Sequence, residues 1–289
     1  MLGGSSESGI MNTHMKIIDH FLYTDDDVQI PYVASPNCED GLQPEYLVMH
    51  YTVGPNAGAA IGQLTNPLAQ VSAHLVIGRD GAITQLVPFD RVAWHAGKST
   101  WQGRTGLNRY SIGIELDNAG RLLCKHGEWR ADYGGFISED QVIETYHKNR
   151  KTLWGWHTYP QAQLDAALAA AQALLQAYSL LDVVGHDDVA PTRKIDPGPA
   201  FPMEFFRASM FGQPLESPPS YIVVKSASLR DAPNGAPVLT KSLPADTRLG
   251  CLQLQADWMV VKVLDPIEGV PDIQGWLQMK YVKQYVLPI

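Results

Sequence analysis

Cysteine is scarce in this chain. Its three thiols, Cys38, Cys124 and Cys251, are far apart, odd in number and never spaced as CxxC. That pattern excludes a disulfide framework and a cysteine-based zinc site. No stretch approaches the roughly 18 consecutive apolar residues that a membrane helix needs, so no membrane partner is expected. The Gly/Ser-rich start, Met1 to His14, lacks the apolar h-region of a secretory signal, which points to a cytoplasmic protein. No dense Lys/Arg cluster occurs and the net charge is −8, which argues against a nucleic-acid partner. What remains, 45% hydrophobic and 18% charged residues, is the balance of an ordinary globular protein.

The order of apolar runs divides the chain. Residues 1–15 read as a disordered tail and 16–45 as irregular, with Pro31, Pro36 and Pro44. Tyr46–Thr52, Val71–Ile77, Ala82–Val87 and Ser111–Leu116 read as strands, the second and third joined by an Arg79-Asp80-Gly81 hairpin turn. Ala57–Leu64 suits a short helix. Gln161–Tyr178, rich in Ala, Leu and Gln, is the clearest helix, and Met203–Met210 is a second candidate. Residues 118–160, aromatic and charged, resist assignment and are read as a long insertion. Strands and helices thus intermingle over 16–212, which predicts an α/β domain with a mixed central sheet flanked by helices. A Pro/Ser linker, 213–220, follows. Residues 221–289 carry only short strand-like runs split by turns, which predicts a small all-β barrel.

The residues that could carry chemistry sit at the ends of apolar runs. Gly185 to Pro199 reads GHDDVAPTRKIDPGP, and leucines and valines lead into it. It offers His186, Lys194 and Asp196, with Asp196 fixed before Pro197-Gly198. Tyr46–Thr52 delivers another histidine, His50. A catalytic zinc takes three protein ligands from His, Asp, Glu or Cys and keeps a fourth position open, and His50, His186 and Asp196 would supply them. Such a metal can bring a water pKa near 7. Glu115, on the otherwise apolar Ser111–Leu116 strand, would serve as proton shuttle, its pKa raised by burial. Lys194 lies two residues before Asp196. In an extended segment both side chains would share one side, so Lys194 could meet a developing oxyanion. Each residue also has an ordinary reading: a core histidine, a turn aspartate, a solvated lysine, or a Glu115 paired with Arg79 or Arg104.

The ordered blocks LVMH (47–50), VSAHLVI with RDG (71–81), VPFD (87–90), AWHAG (93–97), QGR (102–104), SIGIEL (111–116) and GHDDVAPTRKIDPGP (185–199) resemble the zinc-dependent N-acetylmuramoyl-L-alanine amidases of the Amidase_2 family. The likeness is strongest to the anhydro-muropeptide amidases of cell-wall recycling. It implies one Zn2+ per chain, held by His50, His186 and Asp196, with Glu115 as catalytic base and Lys194 as oxyanion stabiliser. It implies hydrolysis of the amide between the lactyl group of muramic or anhydro-muramic acid and L-Ala of the stem peptide. By position Trp94, His95 and Gly97 resemble a groove wall and Arg104 a partner for a stem-peptide carboxylate. His95 could instead support a ligand and Trp94 could be core. The sequence departs from many members in having Ala73 where they carry Tyr before the second-strand histidine. Its 118–160 insertion is much longer than in the compact recycling enzymes.

The C-terminal blocks ASLRDAP (227–233), DWMVVKV (257–263), GWL (275–277) and YV (281–282) resemble a bacterial SH3-like domain. That implies either a peptidoglycan-binding module or a domain that caps the catalytic one. The expected partner is peptidoglycan or a muropeptide, after release or delivery if the wall itself is the target. The alternative is a non-catalytic peptidoglycan-binding protein. The sequence leaves the oligomeric state open.

Overall fold

The computed structural model describes residues 14–212, 220–255, 258–264, 267 and 273–284. Of the expected disordered tail, residues 1–13 lie outside these, as do 213–219 of the linker. A hairpin opens the chain, β1 (Met15–Ile18) against β2 (Phe21–Thr24). The segment read as irregular therefore opens on regular structure, since Met15 pairs with Thr24. The turn between these strands, Asp19-His20, adopts positive φ without glycine, so only the aspartate marks it in the sequence.

Along the chain follow β3 (Cys38–Asp40), β4 (Tyr46–Tyr51), α1 (Ala57–Leu64), β5 (Leu75–Ile77), β6 (Ile83–Gln85), β7 (Arg91–Ala93), β8 (Thr100–Trp101), β9 (Arg104–Thr105) and β10 (Ser111–Leu116). The Asn56 side chain caps α1 by accepting from the Ala59 amide at 2.9 Å. Next come β11 (Arg121–Lys125), β12 (Glu128–Ala131), β13 (Phe136–Ile137), β14 (Val142–Tyr146) and β15 (Leu153–His157). The insertion is thus a five-stranded antiparallel sheet in the order β13-β12-β11-β15-β14. Then α2 (Gln161–Tyr178), β16 (Asp182–Gly185), α3 (His186–Val189) and α4 (Met203–Phe211) complete the first part. The last part holds β17 (Ser220–Val223), β18 (Arg248–Gln255), β19 (Trp258–Val263), β20 (Gln274–Gln278) and β21 (Val282–Gln284).

The sheet that positions the site runs β16-β4-β10-β5-β6. Its first four strands are mutually parallel and β6 is antiparallel, the mixed sheet expected. Side chains alternate between the two faces of a strand. Leu47 and Met49 of β4, and Ile112 and Ile114 of β10, join one core with Ala166, Ala167, Ala170, Ala171 and Leu174 of α2. Small residues on α2 let the helix lie close to the sheet. The alternate set therefore faces away from α2: Tyr46, Val48 and His50 on β4, and Ser111, Gly113 and Glu115 on β10. Tyr46 and Val48 pack there with Ala96, Leu107, Val184 and Val189.

The C-terminal strands form a third five-stranded sheet, antiparallel throughout, in the order β20-β19-β18-β17-β21. It has its own core, including Val223, Leu229, Leu249, Met259, Val261 and Leu277. No described helix is long and apolar enough to cross a membrane.

Candidate metal centre

Parallel strands deliver their carboxyl ends to one edge of a sheet, where α/β folds place their sites. Here His50 and Glu115 are the next-to-last residues of β4 and β10, and His186 follows β16 directly. Glu115 is the register partner of His50, so the two side chains stand next to each other on the face away from α2. Asp196 reaches the same edge from the loop after α3. The buried atoms His50 Nδ1, His186 Nδ1 and Asp196 Oδ2 form a triangle with sides of 2.9, 2.9 and 3.0 Å.

The proton positions follow from carbonyl acceptors, which can only accept. His95 Nε2–H donates to the Ser111 carbonyl (3.2 Å), leaving His95 Nδ1 to accept from His50 Nε2–H at 3.0 Å. His186 Nε2–H donates to the Ala96 carbonyl at 3.2 Å. Both Nδ1 atoms of the triangle therefore present lone pairs, as neutral ligand imidazoles do. Burial, and then the neighbouring His186, lower the His50 pKa to about 4. Burial, followed by His50 and His74, holds His95 well below the usual range. Two imidazole lone pairs and a carboxylate oxygen facing one another repel unless a cation lies among them. Their separations are within about 0.5 Å of the ~3.3 Å edge that tetrahedral zinc with ~2.0 Å bonds requires. Among the described residues this is the one His/Cys/Asp/Glu cluster with that geometry. The donor set fits a zinc ion.

Glu115 is not paired with an arginine. Arg79 donates to the Thr158 carbonyl at 2.9 Å, and Arg104 binds both oxygens of Glu45 at 2.6 and 3.0 Å. Among the described residues the buried Glu115 Oε2 has no hydrogen-bond partner. Burial, with Asp196 adding to it and Lys194 opposing, raises the Glu115 pKa to about 8. A carboxyl so placed can hold or release a proton near neutrality. The charge of Lys194 bears on both Glu115 and His50. The amides of Arg193 and Lys194 both donate to the Ala190 carbonyl, a turn that ends where the segment from Lys194 to Asp196 begins.

The four remaining candidates separate. His95 supports His50, and its ring lies where a Cβ on Gly113 would come within 2.5 Å of it. Trp94 is half-buried and its amide donates to Ser72 Oγ at 2.8 Å. Gly97, exposed and at φ +56°, bends the loop that carries the Ala96 carbonyl. Arg104, besides pairing with Glu45, lies 4.8 Å over the Tyr110 ring. Sequence reasoning missed Arg193, which donates to the carbonyls of Ala96 (2.7 Å) and Lys98 (3.0 Å) and so ties the Asp196 loop to the His95 loop. It binds backbone atoms, which leave no mark in a sequence.

Comparison with known proteins accords with this geometry. Residues 40–199 match the family model described as N-acetylmuramoyl-L-alanine amidase. The chain is 35% identical over 158 residues to the 1,6-anhydro-N-acetylmuramyl-L-alanine amidase AmpD of Escherichia coli, covering 54% of this chain and 66% of that one. It is 34% identical over 167 residues to the N-acetylmuramoyl-L-alanine amidase AmiD of the same organism, covering 55% of this chain and 50% of the relative. A solved structure of E. coli AmiD, in complex with the substrate anhydro-N-acetylmuramic acid-L-Ala-D-gamma-Glu-L-Lys, aligns with TM-score 0.44 and 30% identity over 71% of this chain and 67% of that one. The chain spans just under two thirds of the AmpD relative's length. The family match takes in more than half of the chain and contains all three triangle residues, Glu115 and Lys194: the chain belongs to the N-acetylmuramoyl-L-alanine amidase family.

Proposed function

We propose that the chain is a zinc-dependent N-acetylmuramoyl-L-alanine amidase that releases the stem peptide from muropeptides by cutting the bond between the lactyl group and L-Ala. The observation that carries this reading is the triangle of two imidazole lone pairs and one carboxylate, with the carboxyl of Glu115 next to it in register. Zinc held by His50, His186 and Asp196 would supply Lewis acidity, acidifying a water and polarising the scissile carbonyl. Glu115, next to His50 in register, takes the proton of the attacking water and returns it to the leaving amine of L-Ala. Lys194 stabilises the negative charge that develops on the carbonyl oxygen. His95 and the Ser111 carbonyl hold the His50 tautomer, and Arg193 holds the two loops together. In this reading the C-terminal sheet is an SH3-like module that engages peptidoglycan.

The test is incubation of the protein with soluble anhydro-muramyl-tripeptide and with intact sacculi, each with zinc and with excess chelator. Free stem peptide that appears with zinc and vanishes with chelator is expected. No free peptide from either substrate in the presence of zinc overturns the reading in favour of a non-catalytic peptidoglycan-binding protein. Comparing the two substrates separates a recycling enzyme from a lytic one.

A further inference from the structure

The turn after β14 reaches into the segment that bears two of the three triangle residues. His147 is buried and its Nε2–H donates to Asp187 Oδ2 at 2.8 Å. The Asn149 amide donates to His147 Nδ1 at 3.0 Å, which fixes that tautomer. Lys148 Nζ lies 2.9 Å from Asp187 Oδ1 and 2.6 Å from Asp188 Oδ1. Asn149 Nδ2 donates to the Asp187 carbonyl at 2.8 Å, and Arg150 donates to the carbonyls of Pro191 (3.0 Å) and Thr192 (3.2 Å). Each residue from 147 to 150 is thus bonded to the loop running from His186 towards Asp196.

Asp187 is the hub. It follows His186 directly, and its amide donates to the Asp196 carbonyl at 2.8 Å, so one residue touches both ligand positions. Its side chain is buried at 3% exposure, a costly place for a carboxylate unless partners face it. Gly185 leaves it room: a Cβ there would lie 2.2 Å from Asp187 Oδ1. Trp156 of β15 completes the contact. Its ring stacks on His147 at 5.6 Å and covers Gly198, where a Cβ would meet it at 2.7 Å.

We propose that His147 and Lys148 of the insertion are positioning residues that act through Asp187 to hold His186 and Asp196 in their metal-binding geometry. The insertion sheet is thereby part of the metal centre's support. This rests on the reading that His50, His186 and Asp196 bind zinc.

The full chain is prepared as wild type, His147→Ala, His147→Gln and Lys148→Met. Zinc affinity is measured by competition with a chromophoric chelator, the visible spectrum of the cobalt-substituted protein reports ligand geometry, and circular dichroism reports folding. Loss of an outer partner of a metal ligand typically weakens metal binding about 10–100-fold. His147→Ala is expected to show a loss of that size and an altered cobalt band. His147→Gln, whose amide N–H can replace Nε2–H, is expected to restore most of both. Lys148→Met is expected to weaken binding less, in the same direction. A folded His147→Ala with wild-type affinity and spectrum overturns the proposal, as does failure of the Gln variant to recover. If His147→Ala does not fold, unchanged affinity and spectrum in Lys148→Met overturn it. A wild type that binds no zinc overturns the metal reading itself, and this proposal with it.

Discussion

Two of the five-stranded sheets, the one that bears the site and the C-terminal one, have opposite habits. In the sheet built on β4 and β10 four strands run parallel, so their carboxyl ends share one edge, and His50, Glu115 and His186 arrive there together. In the C-terminal sheet every neighbour is antiparallel and successive strand ends fall on opposite edges. That sheet gathers an apolar core, and no metal-binding constellation forms on it among the described residues. Strand direction, as much as residue type, decides where chemistry can collect.

Four substitutions or conditions would break or sharpen this contrast. The largest effect is expected at Asp196→Ala, which removes the only anion of the triangle: zinc content, measured by metal analysis after dialysis, and activity should both fall to background. Retention of stoichiometric zinc would detach the chemistry from the parallel edge. Glu115→Gln comes next. It should keep zinc yet lose about 10²–10⁴-fold in kcat, the usual contribution of general acid–base catalysis. Steady-state kinetics with parallel metal analysis decide, and a variant within a few-fold of wild type refutes the role.

Met259→Ala probes the other sheet. Met259 is fully buried there, and such truncations cost about 2–5 kcal/mol. Denaturant unfolding should report that loss while zinc affinity stays unchanged. A parallel fall in zinc affinity would show that the two sheets are not separate in function.

The smallest effect concerns pH in the metal-free protein. The folded Glu115 pKa of about 8 lies above the ordinary carboxylate value, so the folded state keeps a proton that the unfolded state releases. The stability this proton contributes is fully present below the ordinary value and is lost as pH rises through about 8. Glu115→Gln does not titrate, so its Tm relative to metal-free wild type should climb steadily across that range. A constant difference would mean that Glu115 keeps an ordinary pKa.

Much of this was legible because the parallel sheet is buried on both faces. Buried strands read as continuous apolar runs, and a polar residue at the end of one, such as His50 or Glu115, stands out. The bounds of α2 were readable for a similar reason, as an Ala/Leu-rich run ending at Tyr178. The insertion was opaque. Its strands are two to five residues long and leave large apolar residues such as Phe136, Tyr146 and Leu153 exposed, so no continuous apolar run marks them. The expected strand from Val71 shrinks to Leu75–Ile77: the Ser72 amide donates to the Trp94 carbonyl, and the Gly113 amide donates to His74 Nδ1 in place of a backbone carbonyl. Ser72 Oγ donates to the Asn37 carbonyl, and His74 Nε2–H to the Arg91 carbonyl. At the site, ligand types could be read, and His95 could be offered as a support, but the rest of the support could not. Arg193 and Asp187 act through backbone carbonyls or partners far along the chain, and only folding brings those into reach.

Gly113 has a consequence for anyone who would redesign this sheet. It sits in mid-strand, where valine or isoleucine would be the favoured choice. Any side chain there would collide with the His95 ring, and with it would go the proton chain running from Ser111 to His50. An optimiser that scored strand preference alone would improve position 113 and disable the protein. The site thus depends on an omission: one missing methyl group is the space in which a histidine learns which of its nitrogens must stay bare.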